Sequence, residues 1–298
     1  MSLNWNDMRV FLAVARTESL SGAGRVLQVD PATVGRRIGR LEQTLGTPLF
    51  AKSPQGYALT DAGQRLQTHA ERAEQAMQGA QDALTGTTAT LAGQIRIGAP
   101  DGVANFLLPQ VCAAIGAENP DLDIQIVALP RVFNLSRREA DMAVTVSPPT
   151  AGRLTVQKIT DYRLHLAAAD SYLAQSSTLT SRADLGAHRI IGYIPDMIFD
   201  KELDYLSELG APRVTLASNS VSVQLNAIRQ GAGVGIVHDF SLPAAPGVTR
   251  ILTDQISLTR SFYLVRHADD RRLDRLNRFA TALIAGLRQE VARLESLA

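Results

Sequence analysis

The stretch from Asp30 to Leu45, DPATVGRRIGRLEQTL, constrains this chain more than any other. Asp30 is a suitable N-cap, and Pro31 falls at the first helical position, where a missing N–H costs nothing. Val34, Ile38, Leu41 and Leu45 recur at helical spacing and form one apolar face. Arg36, Arg37 and Arg40 lie off that face, and no acid follows until Glu42. A short helix with a buried stripe and an exposed arginine cluster fits a DNA major groove. Alone, such a segment reads first as an amphipathic surface helix, and its flanks decide the matter.

Upstream, Met8, Phe11, Leu12 and Ala15, supported by Trp5 and Val10, predict a first helix over Asn4–Arg16. Ser19 caps a second, short helix to Leu27, with Leu20, Ala23 and Leu27 facing inward. Gln28-Val29-Asp30 is a tight turn into the arginine helix, which completes a helix-turn-helix. Through Thr60 the bases Arg9, Arg16, Arg25, Arg36, Arg37, Arg40 and Lys52 outnumber Asp7, Glu18, Asp30 and Glu42. The whole chain carries only +1, so the positive head is the asymmetry of a DNA-binding end. Downstream, Gly46-Thr47-Pro48-Leu49-Phe50 closes the helix, and two extended pieces around Ser53-Pro54-Gln55-Gly56 predict a hairpin. With Lys52 at its base, that hairpin is a wing for a phosphate or the flanking minor groove.

From Thr60 a long helix is predicted, with Asp61 favourable in its first turn. Ala62, Leu66, His69, Ala73, Ala76, Ala80 and Ala83 alternate steps of four and three, a heptad seam of mostly small residues. To Leu84 it would run roughly 35 Å. Its Gln-, Glu- and Arg-rich faces favour pairing two chains over packing on its own domain. Gly86–Gly93, GTTATLAG, reads as a hinge.

These features together resemble the N-terminal domain of the LysR-type transcriptional regulators. The landmarks are Phe11 and Ala15, then Leu20, Ala23 and Leu27, then Val34, Arg36, Ile38, Leu41 and Glu42. Gly46–Phe50 and Leu59-Thr60-Asp61-Ala62-Gly63 match as well. The resemblance implies a winged helix followed by a long linker helix. Gly24 stands where the family usually has Ala, and Gly35 replaces a frequent Ser. Pro31 and Ala32 also depart from the family's usual pair. Gly24, Gly35 and Gly39 each cost roughly 1 kcal/mol of helix propensity against Ala. Candidate DNA contacts are Ser21, Pro31, Ala32, Thr33, Gly35, Arg36, Arg37, Arg40 and Lys52, with base readout leaning on Thr33, Arg36 and Arg37.

Beyond the hinge, strands alternate with helices. Gln94–Gly98, Leu122–Leu129, Met142–Val146, Arg163–Ala169, Ile190–Tyr193, Val234–Val237 and Ser261–Arg266 read as strands. One helix carries Phe106, Leu107, Leu108 and Val111, another runs Ser220–Gln230, and the last runs Asp269–Leu297. That alternation means an α/β domain with a largely parallel sheet, whose ligands bind beyond the carboxyl ends of strands. Crossings near Tyr162–His165 and Phe262–His267 make two hinged lobes. Leu107-Leu108-Pro109, Asn119-Pro120, Glu139-Ala140-Asp141 and Gly231-Ala232-Gly233-Val234-Gly235 resemble the family's effector-binding domain, itself similar to periplasmic solute-binding proteins.

The resemblance thus implies a winged helix-turn-helix over 1–60, a linker and hinge over 61–92, and an effector-binding domain over 93–298. In the last, lobe I is 93–162 with 266–298 and lobe II is 163–265. It places a small-molecule effector between the lobes, near Pro100, Asp101, Gly102, Arg131 and Ser147 on one side. Tyr193, Asn219, Ser220 and His238 face them from the other. Asp101 reads first as an ordinary N-cap, and its charge opposes a simple carboxylate ligand there unless Arg131 compensates.

Enzyme readings fail on the residues. GAGVG at 231–235 follows a helix and precedes a strand, the reverse of a phosphate loop. His69, His165, His188, His238 and His267 are scattered without metal spacing, and no nucleophile motif assembles. No catalytic residue, metal or cofactor is expected. A lone Cys112 on an apolar helix suits packing and a reducing compartment. With no apolar N-terminal or spanning run, a cytoplasmic protein without membrane contact is expected. The reading is a regulator that binds double-stranded DNA, an effector, copies of itself as dimer and tetramer, and RNA polymerase. The alternative is a cytosolic or transport-type solute-binding protein without regulatory DNA function, which leaves the helix-turn-helix unexplained.

Overall fold

A computed structural model describes residues 3–53, 56–84, 90–128, 140–149, 152–205, 213–268, 270 and 273–298. The chain forms two compact units, 1–88 and 89–298.

In the first unit, α1 (Trp5–Thr17), α2 (Leu20–Leu27) and α3 (Pro31–Leu45) precede a hairpin of β1 (Phe50–Ser53) and β2 (Gly56–Leu59). Then comes α4 (Asp61–Leu84). Local chemistry sets each boundary. The Ser19 hydroxyl accepts the Gly22 N–H, and the Asp30 carboxylate accepts the Ala32 N–H. Gly46 ends α3 with a left-handed φ of 68°. The apolar stripe Val34, Ile38 and Leu41 sinks against Phe11, Leu12, Val14 and Ala23, and Leu49 and Phe50 close the cluster. Glu42 ties α3 to the wing, its carboxylate accepting the N–H groups of Leu49 and Phe50.

Close approach requires glycine at two positions that set the starts of α3 and α4. A Cβ on Gly24 would lie 2.7 Å from the Val29 carbonyl oxygen, so the turn before α3 is tighter than an Ala there would permit. A Cβ on Gly63 would lie 2.2 Å from the Leu49 carbonyl oxygen, which also accepts the Thr60 N–H. Gly63→Ala should therefore force α4 away from the wing. We expect about 1–3 kcal/mol of destabilisation, the usual cost of overpacking, read as an earlier urea midpoint by Trp5 fluorescence.

The expected seam of α4 splits. Ala62 and Leu66 are half-buried against the first unit's own core, but the next core residue is Ala70, fully buried, while His69 is exposed. Further along, Ala76, Met77 and Ala80 are exposed.

The second unit holds a nine-stranded sheet. Its strands are β3 (Gly93–Ala99), β4 (Leu122–Ala128), β5 (Met142–Thr145), β6 (Leu154–Ala169), β7 (Ile190–Gly192), β8 (Leu216–Ala217), β9 (Val234–His238), β10 (Val248–Arg250) and β11 (Ser257–His267). The order is β4-β3-β5-β11-β6-β9-β7-β8, with β10 on β6. The β3 pairs with β4 and β5 are parallel, as are the β7 pairs with β8 and β9. The middle is antiparallel, because β6 and β11 run the length of both lobes and pair with each other from Ser257–His165 to His267–Leu154. Both are longer than their apolar cores suggest: β6 begins nine residues before the expected Arg163. Tyr263–Arg266 already pair with β5 of lobe I.

The expected helix at Phe106–Val111 is two helices, α5 (Asp101–Phe106) and α6 (Leu108–Glu118), broken at Leu107. After them come a short α7 (Asp170–Leu173), α8 (Val221–Arg229) and α9 (Asp274–Glu295). Leu276, Phe279, Leu283, Leu287 and Val291 of α9 are buried against the sheet core with Ile95, Ile97, Leu107 and Leu108. Among the described residues no helix is long and apolar enough to cross a membrane.

Candidate nucleic-acid interface and ligand cleft

The start of α3 is open. Pro31, Ala32 and Arg36 are exposed, Thr33, Gly35 and Arg37 are half-exposed, and Ser21 is exposed in the first turn of α2. An Arg36 N–H donates to the Thr33 hydroxyl at 2.8 Å, which lays the guanidinium along the helix start. Arg40 is differently engaged. Its Nε and Nη2 donate to the two Asp7 carboxylate oxygens at 3.1 and 2.6 Å, fastening α3 to α1. The Asp7 side chain is 6% exposed and that of Arg40 59%, so the pair braces the helix from its flank. Lys52 lies on β1, opposite Tyr57 in the hairpin. The expected sites Ser21 to Arg37 thus share one neighbourhood, and Arg40 has a partner that the sequence pattern did not reveal.

In the second unit the structure gathers Pro100, Asp101, Gly102, Tyr193, Asn219 and His238 around one cavity of about 20 Å³. Val103, Val146, Phe199, Leu203, Val221 and Phe262 complete its wall. None of those six carries a polar signal that would mark it in the sequence. Arg131 lies outside the described residues.

Asp101 does not act as the N-cap of its own helix; Pro100 holds that position without a side-chain bond. Its Oδ2 instead accepts the Ser220 hydroxyl at 3.0 Å, the Ser222 N–H at 3.0 Å and the Ser222 hydroxyl at 2.9 Å. It caps α8, on the opposite lobe, where a helix start favours one anion. The other oxygen accepts from Asn105 Nδ2 at 3.1 Å. A second cross-lobe contact runs the other way. Ser147, after β5, donates its hydroxyl to Asp200, which also accepts the Glu202 N–H.

An aromatic cluster backs the cleft. Tyr162 stacks on Phe262 at 3.9 Å between centroids and lies against His238 and Phe240. Tyr205 lies edge-on to Tyr193 and His238. Burial holds His238 neutral, its pKa lowered to about 4 despite the nearby Asp101 and Asp239 carboxylates. Burial likewise raises the Cys112 thiol to about 11, which opposes thiolate chemistry. Among the described residues no group of His, Cys, Asp or Glu is placed to hold a metal ion.

A family profile described as "LysR substrate binding domain" matches residues 88–288. A second, described as "Bacterial regulatory helix-turn-helix protein, lysR family", matches residues 5–64. The chain belongs to the LysR family. This LysR-type protein is 25% identical to the probable regulator LtrA of Klebsiella pneumoniae, over 77% of the chain and 75% of LtrA. It is 26% identical to the regulator PtxR of Pseudomonas aeruginosa, over 80% and 77%. Its fold matches solved CrgA from Neisseria meningitidis with a TM-score of 0.59 and 23% identity, over 96% and 99% of the two chains. Full-length AphB of Vibrio cholerae matches with 0.54 and 21%, over 95% and 99%. The LysR-type protein is a DNA-binding transcriptional regulator with an effector-binding domain.

Proposed function

We propose that α3 reads DNA through Thr33, Arg36 and Arg37, with Ser21, Pro31, Ala32 and Gly35 at the backbone and Lys52 as the wing's contact. The observation that carries this is the open start of α3: its apolar stripe is spent in the core, and Arg36 is laid against Thr33 on the exposed side. Arg40, held by Asp7, positions the helix and adds charge beside the phosphates. The exposed Ala76, Met77 and Ala80 support a second chain along the far half of α4, giving a dimer, and the effector domains build the tetramer. On this reading the DNA-binding part is 1–60, the linker 61–92 and the effector part 93–298. An effector between lobe I and lobe II shifts a pre-existing equilibrium between assemblies on the DNA, and through it the contact with RNA polymerase. The protein works in the cytoplasm, where its DNA is.

Gel-shift or anisotropy binding to a genomic fragment library at fixed salt tests the core of this. Wild type should enrich a discrete pseudo-palindromic site. Arg36→Ala should lose preference for it, at about 1–3 kcal/mol per half-site. Equal weak binding of both proteins to every fragment would reduce α3 to a basic surface.

A further inference from the structure

The cleft that we read as the effector site answers its own polar positions. The Ser220 and Ser222 hydroxyls and the Ser222 N–H all converge on one Asp101 oxygen. The Ser147 hydroxyl is taken by Asp200 from the opposite lobe. Two carboxylates therefore cross the cleft in opposite directions, one from each lobe. The start of α8 is where an acidic ligand would find its donors, and a second anion beside Asp101 would meet repulsion instead.

Apart from Asn219 and Gln224, what remains open to a ligand is apolar. Tyr193, Phe199, Phe262 and the His238 ring face the first cavity. Its neighbour, about 10 Å³, is lined by Tyr205 and shares Tyr193 and Leu203 as a common wall. The Tyr205 hydroxyl is buried beside that of Tyr162, and neither has another hydrogen-bond partner among the described residues. Such a group in a buried wall calls for a polar atom to meet it. The two spaces hold about one water each. A ring must therefore push back the wall formed by Tyr193 and Leu203, which merges the two spaces and brings the ligand to Tyr205.

We propose that Asp101 sets the charge of the effector: it takes the anion position at α8 itself, so the cleft accepts an uncharged, ring-bearing molecule with a hydrogen-bonding edge and rejects the matching carboxylate. This rests on the effector-cleft reading above. Asp101 is thereby the specificity-determining residue.

Benzamide and benzoate, alike in shape and different in charge, test it by calorimetric titration of the full chain. Wild type should bind benzamide saturably and benzoate at least about tenfold more weakly. Asp101→Ser, which frees the start of α8, should bring benzoate to within about threefold of benzamide or ahead of it. Tyr205→Phe removes a hydroxyl that faces only that of Tyr162, so it should fold with a nearly unchanged melting temperature yet lose roughly tenfold in benzamide affinity. Benzoate binding wild type as tightly as benzamide would overturn the proposal. So would the absence of saturable benzamide binding, or an unchanged benzamide affinity in Tyr205→Phe. DNA site selection by the same preparations separates the two readings. A wild type that selects its site but binds neither probe sinks this proposal alone, whereas one that selects no site sinks the regulator reading.

Discussion

Asp239→Ala should be the most damaging single truncation in the effector domain, at about 3 kcal/mol or more. Asp239 is fully buried at the end of β9, where His165 Nδ1 lies 2.8 Å from Oδ1 and an Arg250 N–H donates to Oδ2 at 3.0 Å. The carboxylate thus joins β6, β9 and β10, and Arg250 extends the network by donating to the main-chain oxygen of Ala298. Taking away the carboxylate leaves a guanidinium and an imidazole facing an empty, apolar space. Breaking a buried pair in that way costs about 3–5 kcal/mol. The Arg250 side chain is 28% exposed and can recover some hydration, which argues for the lower end of that range. Asp239→Asn keeps an acceptor and a similar volume, so it should lose less. Urea unfolding followed by far-UV circular dichroism reads the loss. The single tryptophan, Trp5, lies in residues 1–88, and its fluorescence is the internal control. A circular-dichroism midpoint equal to that of wild type would show that the network contributes nothing.

The same contrast between local and distant chemistry explains what could be read from the sequence. The three helices of the DNA-binding unit are bounded by Ser19, Asp30 and Gly46, each acting within three or four residues of itself, so their spacing is visible in the chain. The apolar stripe of α3 is equally local. In α4 the sequence pattern admits two stripes, one through His69 and one through Ala70, and only the tertiary contact with the first unit's core selects Ala70. Strand β6 passes from a mostly exposed first half to a mostly buried second half, and β11 carries a register shift between Phe262 and Tyr263. A strand with two environments has no single period, which is why only its buried end stands out. The cleft was legible as a neighbourhood but not as a set of bonds. Asp101 meets Ser222 across 121 residues, Ser147 meets Asp200 across 53, and Asp7 meets Arg40 across 33. Each carboxylate looks, in sequence, like a helix cap or a surface acid. The identity of its donor is a property of the fold.

His238 carries a consequence that an acid titration should expose. Its ring is buried between Tyr162 and Tyr205, and the protonated form is disfavoured there by loss of hydration. The folded pKa is about 4 against an ordinary value of 6.5. Between those values the unfolded chain binds a proton at this residue and the folded chain does not. Stability therefore rises with pH across the window, and it falls as pH is lowered from about 6.5. The loss is complete below about 4, where both states are protonated, and amounts to about 3 kcal/mol for this displacement. The nearby Asp101 and Asp239 carboxylates pull the other way, towards the charged ring, and burial outweighs them. His238→Phe keeps an aromatic ring against Tyr162 and removes the titration. The urea midpoint of this variant should fall less steeply than that of wild type between pH 6.5 and 4, and the difference between the two proteins isolates His238 from every other acid. Parallel pH profiles would mean that the ring takes up its proton in the folded state as readily as in the unfolded one, and that the cleft wall around it admits water.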